Sequence, residues 1–394
     1  MLTDRVYLDW NATAPLRKEA RAAVISALDV LGNPSSVHAE GRVARRLVEN
    51  AREQVAMLVN AEPRNVLFTS GGTEANALAL TPRAEGNARL LISPIEHVSV
   101  LAGGRFAASQ IEQLTVLPNG QIDLGALDRC LTQSAETILV SVMLANNETG
   151  VVQPIAEIAE LAHGAGATLH VDAVQGPGRI SCDIIQLGAD LLTISGHKFG
   201  APKGVGALIR RETTVPLPNP LIRGGGQERS TRAGTENVAG IAALGAAAAV
   251  LADTYVTESK KTLRLRQRLE GRLKREFPQA VIFGEGAARL PNTSLFAVPG
   301  IKAETAVIAL DLEGVAVSSG AACSSGKVQA SHVLAAMGVP EPLARGAIRV
   351  SLGPTTTESD VDRLIHAWIK VSDALLKGSK VAAAKERLPE QKAL

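Results

Sequence analysis

The chain has 394 residues, 46% of them apolar and 20% charged, with 41 Lys+Arg against 39 Asp+Glu and a net charge of +2. That composition excludes a disordered chain, which is less apolar, and a protein whose main task is gripping phosphate backbones, which is more basic. Three widely spaced cysteines (Cys130, Cys182, Cys323) exclude a disulfide framework or a four-cysteine zinc site and suit a reducing compartment; no metal site is expected, and the cytoplasm is the expected location. The N-terminal MLTDRVYLDW carries no signal-like apolar run, and the longest apolar stretch, 238–252, is shorter than the ~20 residues that span a bilayer. No membrane or nucleic-acid partner is expected. Aromatic residues make up only 3% of the chain, so any ring-stacking duty can fall on histidine.

Short apolar runs rich in β-branched residues predict strands at 66–70, 89–93, 137–144, 168–174, 190–195 and 205–210. Several lack alternation, as strands buried on both faces do. Helical patterns lie between many of them, at 38–60, 73–81, 97–109, 123–133 and 154–165, which predicts an α/β fold with a mostly parallel sheet between helices. A long helical region follows to about 277. Strands at 293–298, 315–319 and 347–352, with helices near 303–312 and 357–377, then predict a smaller α+β domain. The expected division is a large domain over 16–250 and a small one built from 1–15 and 251–394.

In such a sheet, chemistry gathers at the carboxyl ends of strands. After the first strand, Gly71-Gly72-Thr73-Glu74 opens a helix whose free N–H groups suit an anion, typically a phosphate; the same residues also make an ordinary helix start. The strand at 168–174 ends in Asp172, followed by Gln175. A carboxylate there can pair with a protonated pyridine nitrogen. The strand at 190–195 runs into Ser195-Gly196-His197-Lys198, where a lysine between glycines can act as a Schiff-base amine, and Ser195 and His197 can donate to a phosphate. His97 follows the strand at 89–93 and can stack on a flat ring. Arg349 is a strand arginine among apolar neighbours, either a structural ion pair or a clamp for a carboxylate. Cys323 lies in a run of small residues, SSGAACSSG (318–326), which favours an accessible, reactive thiol within an expected mobile loop at about 320–330. Taken together these residues describe a pyridoxal 5'-phosphate (PLP) site: a phosphate cup of Gly72, Thr73, Ser195 and His197, a ring plate (His97), a pyridinium partner (Asp172), a donor to the ring oxygen (Gln175) and an amine (Lys198).

The stretches YLDWNATAPL (7–16), GNPSSVHAEGR (32–42), FTSGGTEAN (68–76), EHVSV (96–100), NNETGVVQP (146–154), HVDAVQ (170–175), SGHKFGAPKGVG (195–206), GGGQERSTRAGTEN (224–237), SSGAACSSG (318–326) and IRVSLG (348–353) run in order across nearly the whole chain. In this the sequence resembles the NifS/IscS-type cysteine desulfurases, in the class V aminotransferase group of fold-type I PLP enzymes. The resemblance implies a large domain with a mostly parallel seven-stranded sheet, a smaller C-terminal α+β domain, and PLP held as a covalent aldimine on Lys198. It implies that Lys198 moves the Cα proton of L-cysteine, that His97 exchanges a proton with the substrate thiol, and that Cys323 takes the sulfur as a persulfide while L-alanine leaves. Asn147 and Arg349 match substrate-carboxylate positions. Thr235 matches a residue that reaches the phosphate of the partner subunit, which implies a homodimer. An acceptor protein, such as an iron–sulfur scaffold, is the implied destination of the sulfur. Residues 327–330 and the tail after 377 depart from the family pattern, which leaves the acceptor open. A selenocysteine lyase, or another class V PLP lyase or transaminase, is the alternative.

Overall fold

The computed structural model describes residues 5–82, 88–132, 137–215, 219–320 and 331–386, with the backbone alone over 377–386. Cys323 and the rest of 321–330 lie outside the described residues. A two-residue strand, β1 (Val6–Tyr7), precedes two helices, α1 (Lys18–Leu28) and α2 (Ala39–Leu58). Strands and helices then alternate: β2 (Val66–Thr69), α3 (Gly72–Ala79), β3 (Ala88–Ile92), α4 (Val98–Leu101), β4 (Ile111–Gln113), α5 (Leu124–Thr132), β5 (Thr137–Met143), α6 (Ile155–Gly164), β6 (Thr168–Asp172), α7 (Ile184–Leu187), β7 (Leu191–Ser195) and β8 (Gly206–Arg210). The seven strands β2 to β8 form one sheet in the order β2-β8-β7-β6-β5-β3-β4. Six of the seven run in the same sense, and β8 alone runs antiparallel to its neighbours β7 and β2. The turn from Ser195 to Gly206 is too short for a crossover helix, so β8 can only return beside β7 in the opposite sense. Every residue of β7, and all of β5 but its first, is buried, which accounts for the missing alternation in their sequences.

Two segments differ from the sequence expectation. The helix predicted over 97–109 stops after Leu101, because Gly103 and Gly104 turn to φ +75° and +58°, and a Cβ at Gly104 would lie 2.3 Å from the Leu80 carbonyl oxygen. The chain then enters β4, whose three residues Ile-Glu-Gln are too few to show a period. α1 also lacks a clear signal: its N-cap, Arg17, makes no side-chain cap, and only Ala20 and Ala27 are buried.

The long helix α8 (Val238–Glu276) is continuous through residue 250. Its apolar first half, including Leu244, Ala247, Ala248 and Leu251, is buried in the core of the large sheet and packs against α1 and α2. The whole helix, unlike the shorter apolar run 238–252 within it, is long and apolar enough to cross a membrane by length and composition alone, and 44% of its most apolar window is buried inside the protein. Its second half supplies Leu265, Leu269 and Leu273 to another core. The elements that follow are β9 (Val281–Ile282), β10 (Thr293–Ala297), α9 (Ala303–Leu312), β11 (Val315–Ala316), β12 (Ser318–Ser319), α10 (His332–Ala336), α11 (Glu341–Ala344), β13 (Ile348–Ser351) and α12 (Glu358–Glu386); β9, β10, α9, β11, β13 and α12 close that core, while α10 and α11 pack into a neighbouring cluster with Ile95, Phe283 and Leu295. Here β12-β13-β10-β9 form an antiparallel sheet, and β1 pairs with β11. The run 315–319 therefore serves two sheets. Trp368 meets Phe296 edge-on at 5.3 Å and Phe277 at 6.2 Å, so several of the scarce aromatic rings are spent on this second core.

Candidate active site

The carboxyl ends of β2, β5, β6 and β7 open into a cavity of about 530 Å³. Gly72 begins α3 on its floor. The first intrahelical donor is Ala75, bonded to Gly71 O at 3.1 Å, so the amides of Gly72, Thr73 and Glu74 precede the helix ladder. A Cβ at Gly72 would lie 2.8 Å from Val174 Cγ2 and 3.3 Å from Ser195 Cβ; only glycine lets these chains approach. Thr73, Ser195, His197 and Lys203 line the same end. Burial, with Lys198 and Lys203 nearby, pushes His197 down to about 4, so at neutral pH it is an uncharged ring whose Nδ1 meets Thr13 Oγ1 at 3.2 Å.

Asp172 ends β6 beside β7 and is buried. Its Oδ2 accepts from Asn76 Nδ2 at 2.7 Å and its Oδ1 from the Val174 amide at 2.9 Å. Behind it, His170 bridges Ser141 (2.8 Å) and Thr193 (2.9 Å) across three strands. Burial pushes His170 down to about 3, so this brace is neutral. His97 caps α4. Its Nδ1 accepts from the Ser99 amide at 3.2 Å, which leaves the proton of the neutral ring on Nε2. Burial holds His97 below its ordinary value, with Lys198 and His332 adding to the effect and Asp172 opposing it. Lys198 follows β7 on a single 3₁₀ turn, and its Nζ donates to the carbonyls of Asn11 (2.7 Å) and Ala12 (2.9 Å).

Gln175, Asn147 and Arg349 complete the wall. Arg349 makes the ion pair of its structural reading and also borders the cavity. It is buried and paired with Asp9 at 2.7 Å, and its Nη1 donates to the Asn147 carbonyl at 3.1 Å. Among the described residues, three buried atoms of this wall find no hydrogen-bond partner: Gln175 Oε1, Asn76 Oδ1 and Arg349 Nε. Buried polar atoms are rarely left so, and a polar ligand would satisfy them. A carboxylate, an amine, a neutral imidazole plate and an open helix N-terminus form the donor set that PLP requires, so the residues fit that group.

Of the sequence-predicted residues, Gly72, Thr73, His97, Asn147, Asp172, Gln175, Ser195, His197, Lys198 and Arg349 all border this one cavity. Thr235 does not; it is exposed on the segment after the short 3₁₀ turn Gln227–Ser230. Cys323 lies outside the described residues. Sequence reasoning missed Asn76, which holds Asp172, Asn11, which receives Lys198, and Arg179, a buried guanidinium that donates to the carbonyls of Gln175, Trp10 and Lys198. Asn76 had a signal: it stands one helical turn after Gly72, on the same face of α3. A neighbouring cavity of about 420 Å³, lined by Trp10, Arg17, Phe199 and Val250, touches only Lys198 among the predicted residues.

The family model described as "Aminotransferase class-V" matches residues 6–364. The chain belongs to the class V aminotransferase family. It is 40% identical to the cysteine desulfurase IscS of Dictyoglomus turgidum over 379 residues, 94% of this chain and 95% of that one. It is 43% identical to a cysteine desulfurase of Cereibacter sphaeroides, over 94% and 97%. A NifS-like protein from Rickettsia africae superposes with a TM-score of 0.86 at 40% identity, covering 94% of this chain and 99% of that one. A structure titled SspA in complex with cysteine gives 0.77 at 30% identity, covering 89% and 100%. The sheet order and the second, antiparallel sheet are those of a fold-type I PLP enzyme, and the class V family is PLP-dependent.

Proposed function

We propose that this protein is a cysteine desulfurase, which converts L-cysteine and the Cys323 thiol into L-alanine and a Cys323 persulfide. The observation that carries the reading is the meeting of Lys198, Asp172, His97 and Arg349 in one cavity, in a class V chain that has a cysteine shortly after the last described residue of β12's turn. Gly72, Thr73, Ser195 and His197 would hold the PLP phosphate, Asp172 its pyridine nitrogen and Gln175 its ring oxygen. Bound PLP supplies the electron sink for bond breaking next to the substrate's α-carbon. The residues of the chain do the rest. Arg349 and Asn147 seat the substrate carboxylate, which brings an acceptor to Arg349 Nε, an atom with no partner among the described residues. Lys198 moves the α-proton. His97, held neutral, exchanges a proton with the substrate thiol. The Cys323 thiolate attacks the substrate sulfur: an S–S bond forms, the Cβ–S bond breaks, and Cβ keeps the electron pair and gains a proton to become the alanine methyl. The persulfide then passes to a thiol of an acceptor protein, such as an iron–sulfur scaffold. A reducing compartment, the cytoplasm, would keep the Cys323 thiol available.

The proposed unit is a homodimer. Thr235 is exposed after three consecutive non-glycine residues at positive φ, Glu228, Arg229 and Ser230. This turn is tied down by the buried Arg52–Glu228 pair at 2.9 Å. Strain of this kind persists where the surroundings enforce it, often at functional contacts. Ser35 approaches Gln227, and beside Ser35 both Leu31 and Val37 are 88% exposed, an apolar flank for a second copy. Sedimentation at micromolar concentration should show two chains; a single chain would contradict the dimer. For the activity, the wild type is expected to form alanine from L-cysteine. Cys323→Ala should keep the visible absorbance of the bound cofactor and lose alanine formation, and full turnover in that variant would sink the reading.

A further inference from the structure

The turn Asn146–Gly150 joins the substrate side of the cavity to the chain on either side of Cys323. Asn146 Oδ1 accepts from the amides of Glu148 and Thr149, both at 2.9 Å, and from Thr149 Oγ1 at 3.2 Å. Gly150 closes the turn at φ +75°, where a Cβ would lie 2.9 Å from Thr293 Cβ. So fixed, two consecutive residues face different tasks. Asn147 borders the cavity, and its carbonyl receives Arg349 Nη1 (3.1 Å) and Asn11 Nδ2 (3.2 Å). Glu148 is buried, 4% exposed, and its Oε2 accepts from Ser331 Oγ at 2.5 Å.

Ser331 is the N-cap of α10, accepting from the Leu334 amide at 3.1 Å. The next residue, His332, bonds through Nε2 to the Glu96 carbonyl at 3.0 Å. On the other side of Cys323, Gly320 donates to the Ala347 carbonyl at 2.9 Å, and a Cβ at Gly320 would lie 3.6 Å from the same Glu148 Oε2. One carboxylate oxygen therefore stands between both ends of the segment that carries Cys323. Only two residues, Ala321 and Ala322, separate Cys323 from Gly320 along the chain. Glu148 is an expensive choice for this spot. Burial pushes it up to about 7, against the Ser331 hydrogen bond and the Arg349 charge, and an apolar side chain would fill the space without desolvating a carboxyl.

We propose that Glu148 is a positioning residue for sulfur transfer, fixing through Ser331 where the Cys323 segment rejoins the fold, in register with Asn147 and Arg349. The proposal rests on the desulfurase reading. In the PLP-loaded protein, Glu148→Ala and Ser331→Ala should each slow single-turnover formation of the Cys323 persulfide, read by mass, about tenfold, a modest share of what an ångström of misplacement does to a rate. L-cysteine affinity, read from the change in cofactor absorbance on titration, should stay within about twofold, because the contacts at Asn147 and Arg349 are kept. Glu148→Gln, whose amide oxygen still accepts from Ser331, should keep at least about half of the wild-type rate. If Glu148→Ala fails to fold, Ser331→Ala and Glu148→Gln carry the same comparison. Unchanged rates in the alanine variants, a parallel loss of affinity, or a Glu148→Gln variant as slow as Ser331→Ala would overturn the proposal alone. A wild type that forms no persulfide would overturn it together with the desulfurase reading.

Discussion

Replacing Lys198 by alanine lowers L-cysteine turnover by about 10²–10⁴-fold or more, the usual contribution of a positioned proton-transfer group. Lys198 is the amine on the short 3₁₀ turn between β7 and β8, and its Nζ is held between the carbonyls of Asn11 and Ala12 at 2.7 and 2.9 Å. The two carbonyls fix the amine against the N-terminal segment rather than leave it to sweep through solvent. Lys203 also borders the cavity, but five residues further on, in the turn leading into β8, and it lacks that cradle among the described contacts. Steady-state turnover and the absorbance of the bound cofactor read the change together. A Lys198→Ala variant that turns over within about tenfold of wild type would transfer the amine's role to Lys203.

Asp172→Asn is expected to fold and to lose on the order of 10²–10³ in turnover, the scale for deleting one preorganised electrostatic group. The carboxylate accepts twice, from Asn76 Nδ2 and from the Val174 amide. An asparagine keeps one acceptor oxygen and turns an NH₂ toward one of those donors. Asn76 can answer by rotating its own amide, since its Oδ1 is buried with no partner among the described residues, although this takes its Nδ2 away from Ser99 Oγ, now at 3.0 Å. The hydrogen bonds are thus largely repairable while the negative charge is not. Stability close to wild type with turnover greatly reduced separates the two effects. Turnover above about a tenth of wild type would show that no positive ring nitrogen depends on Asp172.

The site was legible in the sequence to the extent that its chemistry is local. Gly72 and Lys198 each follow a buried strand within a few residues and Asp172 ends one, so the strand pattern itself located them. The N-terminus of α3 was visible for the same reason. The residues that hold those groups were not, because their partners are far away in the chain. Asn11 meets Lys198 across 187 residues, and Arg349 meets Asp9 across 340. Glu148 lies within a quoted motif, yet its partner Ser331 is 183 residues on, and nothing within NNETG distinguishes a buried acid from a turn residue. The fold shows the same division. The parallel strands were readable from their unbroken apolar runs. The three-residue β4 and the weakly patterned α1 were not, since their places are set by Ile111 following Leu90 in register and by α1 lying against α8.

Cys323 is the centre of the functional account. Mass spectrometry of the PLP-loaded protein after brief exposure to L-cysteine tests it most directly, by locating the added sulfur. Cys182 is buried, and burial pushes its thiol up to about 12, which makes it a poor nucleophile. Cys130 is half-buried on α5, with Sγ 3.3 Å from Glu112 Oε1, and it does not border the cavity. A gain of about 32 Da, the mass of one sulfur atom, is expected on the peptide containing Cys323. Sulfur on Cys130 or Cys182 instead, or alanine released with no sulfur on any cysteine, would contradict it.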